Sequence, residues 1–239
     1  MSYLINSYRY AVAASTIPSI SNEYLHYDFS GEQSVITSSA NRVSKVTDGF
    51  GTSARDLIQA TSDNQPLFIA DDTNGLGVID FVDLRYMETA SDLGAISQPY
   101  TVFSVAEFLT YAEQDAAVLD GRSASNRINQ SNHFAIDKVR CNAGANLDSG
   151  TITDLDENNH LVTCIYDGLD SKLRVDGTQV AAATVGTGAY AGVEVGMDAG
   201  EGGSGWGAKI MEIAIYTAAV NGDDLTNLEN YFIDRWGLS

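Results

Sequence analysis

The sequence predicts an all-β domain closed by one C-terminal helix. Three observations carry this expectation. Apolar runs are short, rich in Val, Ile, Tyr and Phe, and separated by clusters of Gly, Asn, Asp and Ser. The chain holds 22 glycines but only 3 prolines, which suits many turns between regular strands. Only the last segment, 221–237, sets its apolar residues at helical spacing. A length of 239 residues is ordinary for a single β-sandwich, and 44% hydrophobic residues suffice for a core, which excludes global disorder.

Residues 1–20 stand apart. Tyr3, Leu4, Ile5, Tyr8, Tyr10, Val12, Ile17 and Ile20 accompany one charge, Arg9. A segment this apolar is no free tail in water. It is either an edge strand of the domain at 21–239 or an arm that docks on another chain, and Pro18 ends it. Residues 24–29 alternate bulky apolar and polar side chains, the period of a strand. Short strands follow at 34–37 and 42–46, then a turn signal at 48–52. Stretches 77–81 and 100–108 read as central strands, the second apolar enough to be covered on both faces. Further strands are expected at 133–136, 138–141, 161–166 and 172–175. Asp176-Gly177 then makes a tight hairpin turn into 178–180. Stretches 191–196 and 208–216 complete the set. Phe81, Val102, Phe103, Val162 and Ile213 are expected in the core between sheets.

The helix has its own signals. Asn221 stands at the N-cap, with Asp223 and Asp224 at the positive end of the dipole. Leu225, Leu228, Phe232 and Trp236 share a face, with Tyr231 beside them, and Gly237 is placed to end the helix. Such a stripe packs on a core.

Charge narrows the function. Against 32 acidic residues stand 13 Lys and Arg, a net charge of −19. Nucleic acid and anionic membranes are therefore not expected as partners, because both need a basic face. No apolar window of about 18 residues exists, so no membrane span is expected. The N-terminus lacks the basic start and apolar block of a secretory signal. Either a signal was removed, or the protein is made in a cytoplasm and used there or released by lysis. Cys141 and Cys164 are too few for a disulfide framework. The first reading is two reduced, buried thiols, with a cross-strand disulfide as the alternative. No CxxC or HxxxH spacing supports a metal, and no cofactor is expected.

Five stretches carry a resemblance. Residues 24–51 look like an opening strand and turn, with Val46 where a Trp is usual. Gln65-Pro66-Leu67-Phe68 looks like a short link, and 77–81 like a strand ending in a buried aromatic. Leu161 to Gly168, then Leu173-Arg174-Val175-Asp176-Gly177, looks like a family hairpin. Residues 207–216 with the helix to Leu238 look like the closing strand and helix. In this order they resemble the concanavalin A-like lectin/glucanase superfamily, in its laminin-G-like branch, over residues 22–239. The resemblance implies a two-sheet antiparallel jelly-roll sandwich with a C-terminal amphipathic helix. The superfamily hosts lectins, glucanases, adhesion modules and virion proteins, so the fold does not decide the function. Residues 4–10 are also similar to the start of many tailed-phage structural proteins. Together these imply a non-enzymatic virion protein, a capsid decoration or tail-associated protein that forms a homo-oligomer. Its partners would be other virion proteins, reached through residues 1–20, and host surface glycans. The alternative is a lectin-like carbohydrate-binding module of a bacterial surface or secreted protein, placed outside the cell or on its surface.

Catalytic patterns are missing. Glucanases of this superfamily place carboxylates as E-x-D-x-x-E on one strand, where alternation aims them into the cleft. No such run occurs. Asp80 and Asp83 are three apart and so face opposite ways. Glu194 and Asp198 are four apart, with Gly196 and Met197 ending the strand between them. The strand at 208–216 carries Glu212 alone. No nucleophile elbow accompanies His26, His133 or His160, and His160 opens a strand in a structural role. The glycine loop 196–207 offers Trp206 for stacking on a sugar and Asp198 and Glu201 as oxygen ligands. The plainer account makes Trp206 a plug at the sheet end. Asp154, Asp156, Glu157 and Asn158 form an acidic turn read as a solvated face.

Overall fold

A computed structural model describes residues 16–81, 85–90, 93–108, 116–122, 129–133, 138–152, 155, 158–189, 191–197 and 208–238. Strands β1 to β7 span Glu23–Asp28, Ile36–Ser39, Arg42–Val46, Leu57–Ile58, Leu67–Thr73, Leu76–Asp80 and Met87–Thr89. Strands β8 to β12 span Tyr100–Phe108, Ala116–Asp120, Asn129–His133, Lys138–Asn142 and Asn146–Asp148. Strands β13 to β17 span Asn159–Tyr166, Lys172–Val175, Thr178–Ala182, Glu194–Val195 and Ala208–Tyr216, and helix α1 spans Gly222–Trp236.

All pairings are antiparallel, and they build two sheets. The first runs β15–β14–β13–β8–β17. The other edge of β17 takes β1 along one half and β6 along the other, with β5 beyond β6. The second runs β2–β3–β4–β7–β16–β9–β10–β11–β12. One bridge, Arg42 to Leu67, joins them at a corner. Both sheets contribute to one buried apolar core, so the body is the expected jelly-roll sandwich.

The first sheet is covered on both faces. Alternation sends Val102, Ala106, Val162, Cys164, Ile210 and Ile213 toward the second sheet. It sends Phe103, Val105, Leu161, Met211 and Tyr216 toward α1, whose Leu228, Tyr231, Phe232 and Trp236 cover them. The double apolar coding of 100–108 thus has its expected cause. It also corrects one placement. Phe103 is buried, but it stacks on Phe232 at 5.5 Å beneath the helix and not between the sheets. Val102 and Phe103 are chain neighbours and cannot share a face of one strand. Phe81, Val102, Val162 and Ile213 do sit in the inter-sheet core.

The helix ends as expected, with Gly237 left-handed at φ 64°. At its start Asn221 occupies the N-cap, but its side chain bonds back to the Ala219 carbonyl and caps no helical N–H. Asp176 and Gly177 both have positive φ, the geometry of a two-residue hairpin between β14 and β15.

The cysteines correct the first reading. Cys141 and Cys164 form a disulfide, and it links β11 of one sheet to β13 of the other. It is therefore an inter-sheet staple, not a cross-strand bond between paired neighbours. Both thiols face the shared core, which is what brings residues 23 apart together.

Several strands carried no usable pattern. β10 reads Asn-Gln-Ser-Asn-His, with no apolar period, and forms because β9 and β11 pair on either side of it. The strand expected at 133–136 reaches the ladder only through His133, and 134–136 lie outside the described residues. The strand expected at 191–196 contributes only Glu194 and Val195 to ladders, although Val193 is also fully buried. Residues 1–15 lie outside the described residues. Ile17 and Ile20 pack against the core beneath α1, and the Ile17 N–H donates to Gln33 Oε1 at 3.0 Å.

Candidate functional site

The proposed ligand residues Asp198, Glu201 and Trp206 lie outside the described residues, as do Asp83, Asp154, Asp156 and Glu157. The described residues form an open polar pocket of about 400 Å³ elsewhere.

Register builds the pocket. Asp80 on β6 lies opposite Lys209 on β17, Lys209 opposite Glu107 on β8, and Glu107 opposite Asn159 on β13. This row crosses the end of the first sheet, one step beyond the apolar band under α1. The end of the helix, Trp236 and Gly237, forms one wall. The β5–β6 hairpin forms another, with Asp72, Thr73 and Asn74. Its tip, Asn74-Gly75, has positive φ at both residues. Asn74 Nδ2 donates to the Arg235 carbonyl at 2.7 Å, which ties the hairpin to an orphan carbonyl of the helix end. Asn158 and Asn159 close the pocket.

The lining sets two carboxylates among amide and hydroxyl side chains that both donate and accept. Lys209 Nζ lies 3.3 Å from Asp72 Oδ2 and 3.0 Å from Glu107 Oε2. Burial alone would lower the Lys209 pKa, but Glu107 and Asp72 more than offset it, so the ammonium is held above its usual range. Thr73 Oγ1 donates to Asp72 Oδ1 at 3.1 Å. Asn159 Oδ1 is buried and finds no hydrogen-bond partner among the described residues. Such an orphan acceptor costs roughly 1–3 kcal/mol, and as a buried atom it presents no open face to a ligand. Trp236 is 1% exposed and offers no stacking platform.

Trp236 instead belongs to a buried polar cluster under the helix. Its Nε1 donates to Glu212 Oε2 at 2.7 Å. Tyr231 Oη donates to Glu212 Oε1 at 2.7 Å, and His26 Nε2 lies 2.7 Å from the same oxygen. Arg235 bonds Asp28 Oδ2 at 3.0 Å and pairs with Glu212. Burial would lower the Arg235 pKa, and Asp28 and Glu212 raise it above its already high range. This cluster fastens the helix and is closed to ligands.

His160 Nδ1 lies 2.7 Å from Asp176 Oδ2, while Asp176 Oδ1 accepts the Leu161 N–H at 2.9 Å. The pair clasps the hairpin turn. A second carboxylate set lies on the other sheet. Glu194 is directly opposite both Glu88 and Asp120, and Glu194 and Asp120 are buried. Arg122 clamps Glu88 through Nε at 2.7 Å and Nη2 at 3.3 Å. The sequence had offered Glu194 only Asp198, beyond the end of its strand. Its true neighbours come from strands far away in the chain, so no local motif could announce them. The pocket was equally hidden, although Asn74-Gly75 between apolar runs is a hairpin signal that would have located its rim. Among the described residues no group of three His, Cys, Asp or Glu could hold a metal ion, and no helix is long and apolar enough to cross a membrane.

No family model matches the chain, and no curated protein matches its sequence. Solved structures do match. The binding domain of Paraclostridial Mosquitocidal Protein 1 is similar with a TM-score of 0.63 at 10% identity, over 89% of this chain and 53% of that one. Trypanosoma rangeli sialidase in complex with sialic acid is similar with a TM-score of 0.59 at 10% identity, over 90% of this chain. This chain spans only 33% of the sialidase. Domain 4 of AbnA, a GH43 extracellular arabinanase from Geobacillus stearothermophilus, was solved with arabinotriose. It is similar with a TM-score of 0.51 at 14% identity, over 87% of this chain and 98% of that domain. At these identities the likeness is one of fold: this chain has the β-sandwich of those domains.

Proposed function

We propose that this chain is a lectin-like carbohydrate-binding module that binds without turnover, at the pocket lined by Asp72, Asn74, Glu107 and Asn159. The observation that carries the reading is an open pocket of about 400 Å³ whose lining joins two carboxylates, Asp72 and Glu107, with the amides of Asn74, Asn158 and Asn159. Sugar hydroxyls donate to carboxylates and pair with amides. The reading is supported by the likeness to a sandwich domain solved with arabinotriose. Titration calorimetry on glycans that score on an array tests it. Asn159→Ala should weaken the best ligand by about tenfold, the worth of roughly one good hydrogen bond. An array on which nothing binds, or an Asn159→Ala variant with unchanged affinity, would defeat the proposal.

Absence of turnover belongs to the same proposal. Hydrolysis of β-glucans, arabinan or simple esters that vanished in Glu194→Gln would overturn it. A place in a tailed-phage particle, with residues 1–20 as the attachment arm and a homo-oligomer as the form, draws its support from residues 1–20 alone. Deletion of 1–20 tests that finer reading, through loss of assembly or of co-purification with particles while the melting temperature is kept.

A further inference from the structure

We propose that the pocket excludes acidic sugars, so that its ligand is a neutral or amino-bearing glycan, with Asp72 and Glu107 as the residues that set this preference. The inference rests on the carbohydrate-binding reading of the same pocket. It follows from the charge at the pocket and from the acceptors that its two carboxylates offer.

The donors whose partners are known are already committed. Asn74 Nδ2 serves the helix end, Thr73 Oγ1 serves Asp72, and Trp236 Nε1 serves Glu212. Lys209 Nζ is held between two carboxylates. Acceptor capacity remains on the Asp72 and Glu107 carboxylates beyond their contacts with Lys209 and Thr73. A hydroxyl or an ammonium brings donors to these atoms. A sugar carboxylate brings more acceptors.

Charge points the same way. Two carboxylates outvote the one ammonium at the pocket, and that ammonium is paired with both. The chain as a whole carries −19, which adds a long-range field against anions. A ligand carboxylate would have to shed water beside fixed like charges, which is how a site rejects a wrong ligand.

The test is a glycan array presenting neutral, amino-bearing, sialylated and uronate-capped glycans, read at physiological and at high salt. The bound set should be neutral or amino-bearing. Adding an acidic cap to a bound glycan should weaken it by about tenfold or more, the scale of one like-charge contact at a partly wet site. In Asp72→Asn that ratio should shrink by about threefold, and added salt should shrink it too. Glu107→Gln serves as the second variant if Asp72→Asn does not fold. Acidic glycans that bind as well as their uncapped parents overturn the inference and leave carbohydrate binding standing. An array with no bound glycan overturns the carbohydrate reading itself, and this inference with it.

Discussion

Trp236 Nε1 donates to Glu212 Oε2 at 2.7 Å, and neither side chain reaches solvent. One carboxylate in the middle of a central strand thereby holds the last turn of the only α-helix among the described residues. Tyr231, Arg235 and His26 converge on the same group, so Glu212 joins β1, β17 and α1. Glu212→Ala takes the shared acceptor from the buried Trp236 and Tyr231 donors and from His26, while Arg235 keeps Asp28 and Glu32. A loss of roughly 2–5 kcal/mol is expected in urea unfolding, from two buried donors left unsatisfied at about 1–3 kcal/mol each. A loss no larger than that of an exposed variant such as Leu169→Ala would show that the cluster does not hold the helix.

The disulfide between Cys141 and Cys164 closes a chain separation of 23 residues across the two sheets. A crosslink of that span restricts the unfolded chain by about 3 kcal/mol. The double variant Cys141→Ala/Cys164→Ala should unfold at lower urea by that margin. Thiol titration of the denatured, unreduced wild type should find no free thiol, and two free thiols would refute the staple.

Phe81 is fully buried against Phe29, and Gly196 adopts φ 85° beside its ring. A Cβ at position 196 would overlap the Phe81 ring and crowd the Arg85 carbonyl. Phe81→Ala should cost about 3–5 kcal/mol by opening a cavity. Gly196→Ala should cost about 1–3 kcal/mol by overpacking and by its left-handed backbone. A melting curve for Gly196→Ala that matches wild type would mean the ring has room to move.

Burial raises the pKa of Tyr27, Tyr166 and Tyr231 well above the usual 10.0. The unfolded chain ionises these phenols from about pH 10 upward, while the folded chain keeps their protons. The folded state then binds more protons, so stability is fully present below pH 10 and falls as pH rises beyond it. Phenolate absorbance of these groups should therefore appear together with the loss of far-UV ellipticity, in one alkaline transition. Full phenolate absorbance near pH 10 with the ellipticity intact would contradict their burial.

What the sequence determined by itself was local. Period-two alternation located β1, short apolar runs between turn residues located β3, β8, β14 and β17, the Asp176-Gly177 turn located a hairpin, and helical spacing located α1 and the stripe it buries. These signals are legible because each lives within a few residues and one face of one element. Tertiary structure decided whatever depends on which strands become neighbours. It turned Phe103 toward the helix, joined Cys141 to Cys164 across the sheets, and set Glu194 between Glu88 and Asp120. It also gathered Asp72, Glu107 and Asn159 into one pocket from three separate strands. Pairing in this sandwich links segments tens of residues apart, and an antiparallel ladder of backbone hydrogen bonds leaves no local mark of its partner. A polar strand such as β10 exists only because its neighbours were already there to bond it.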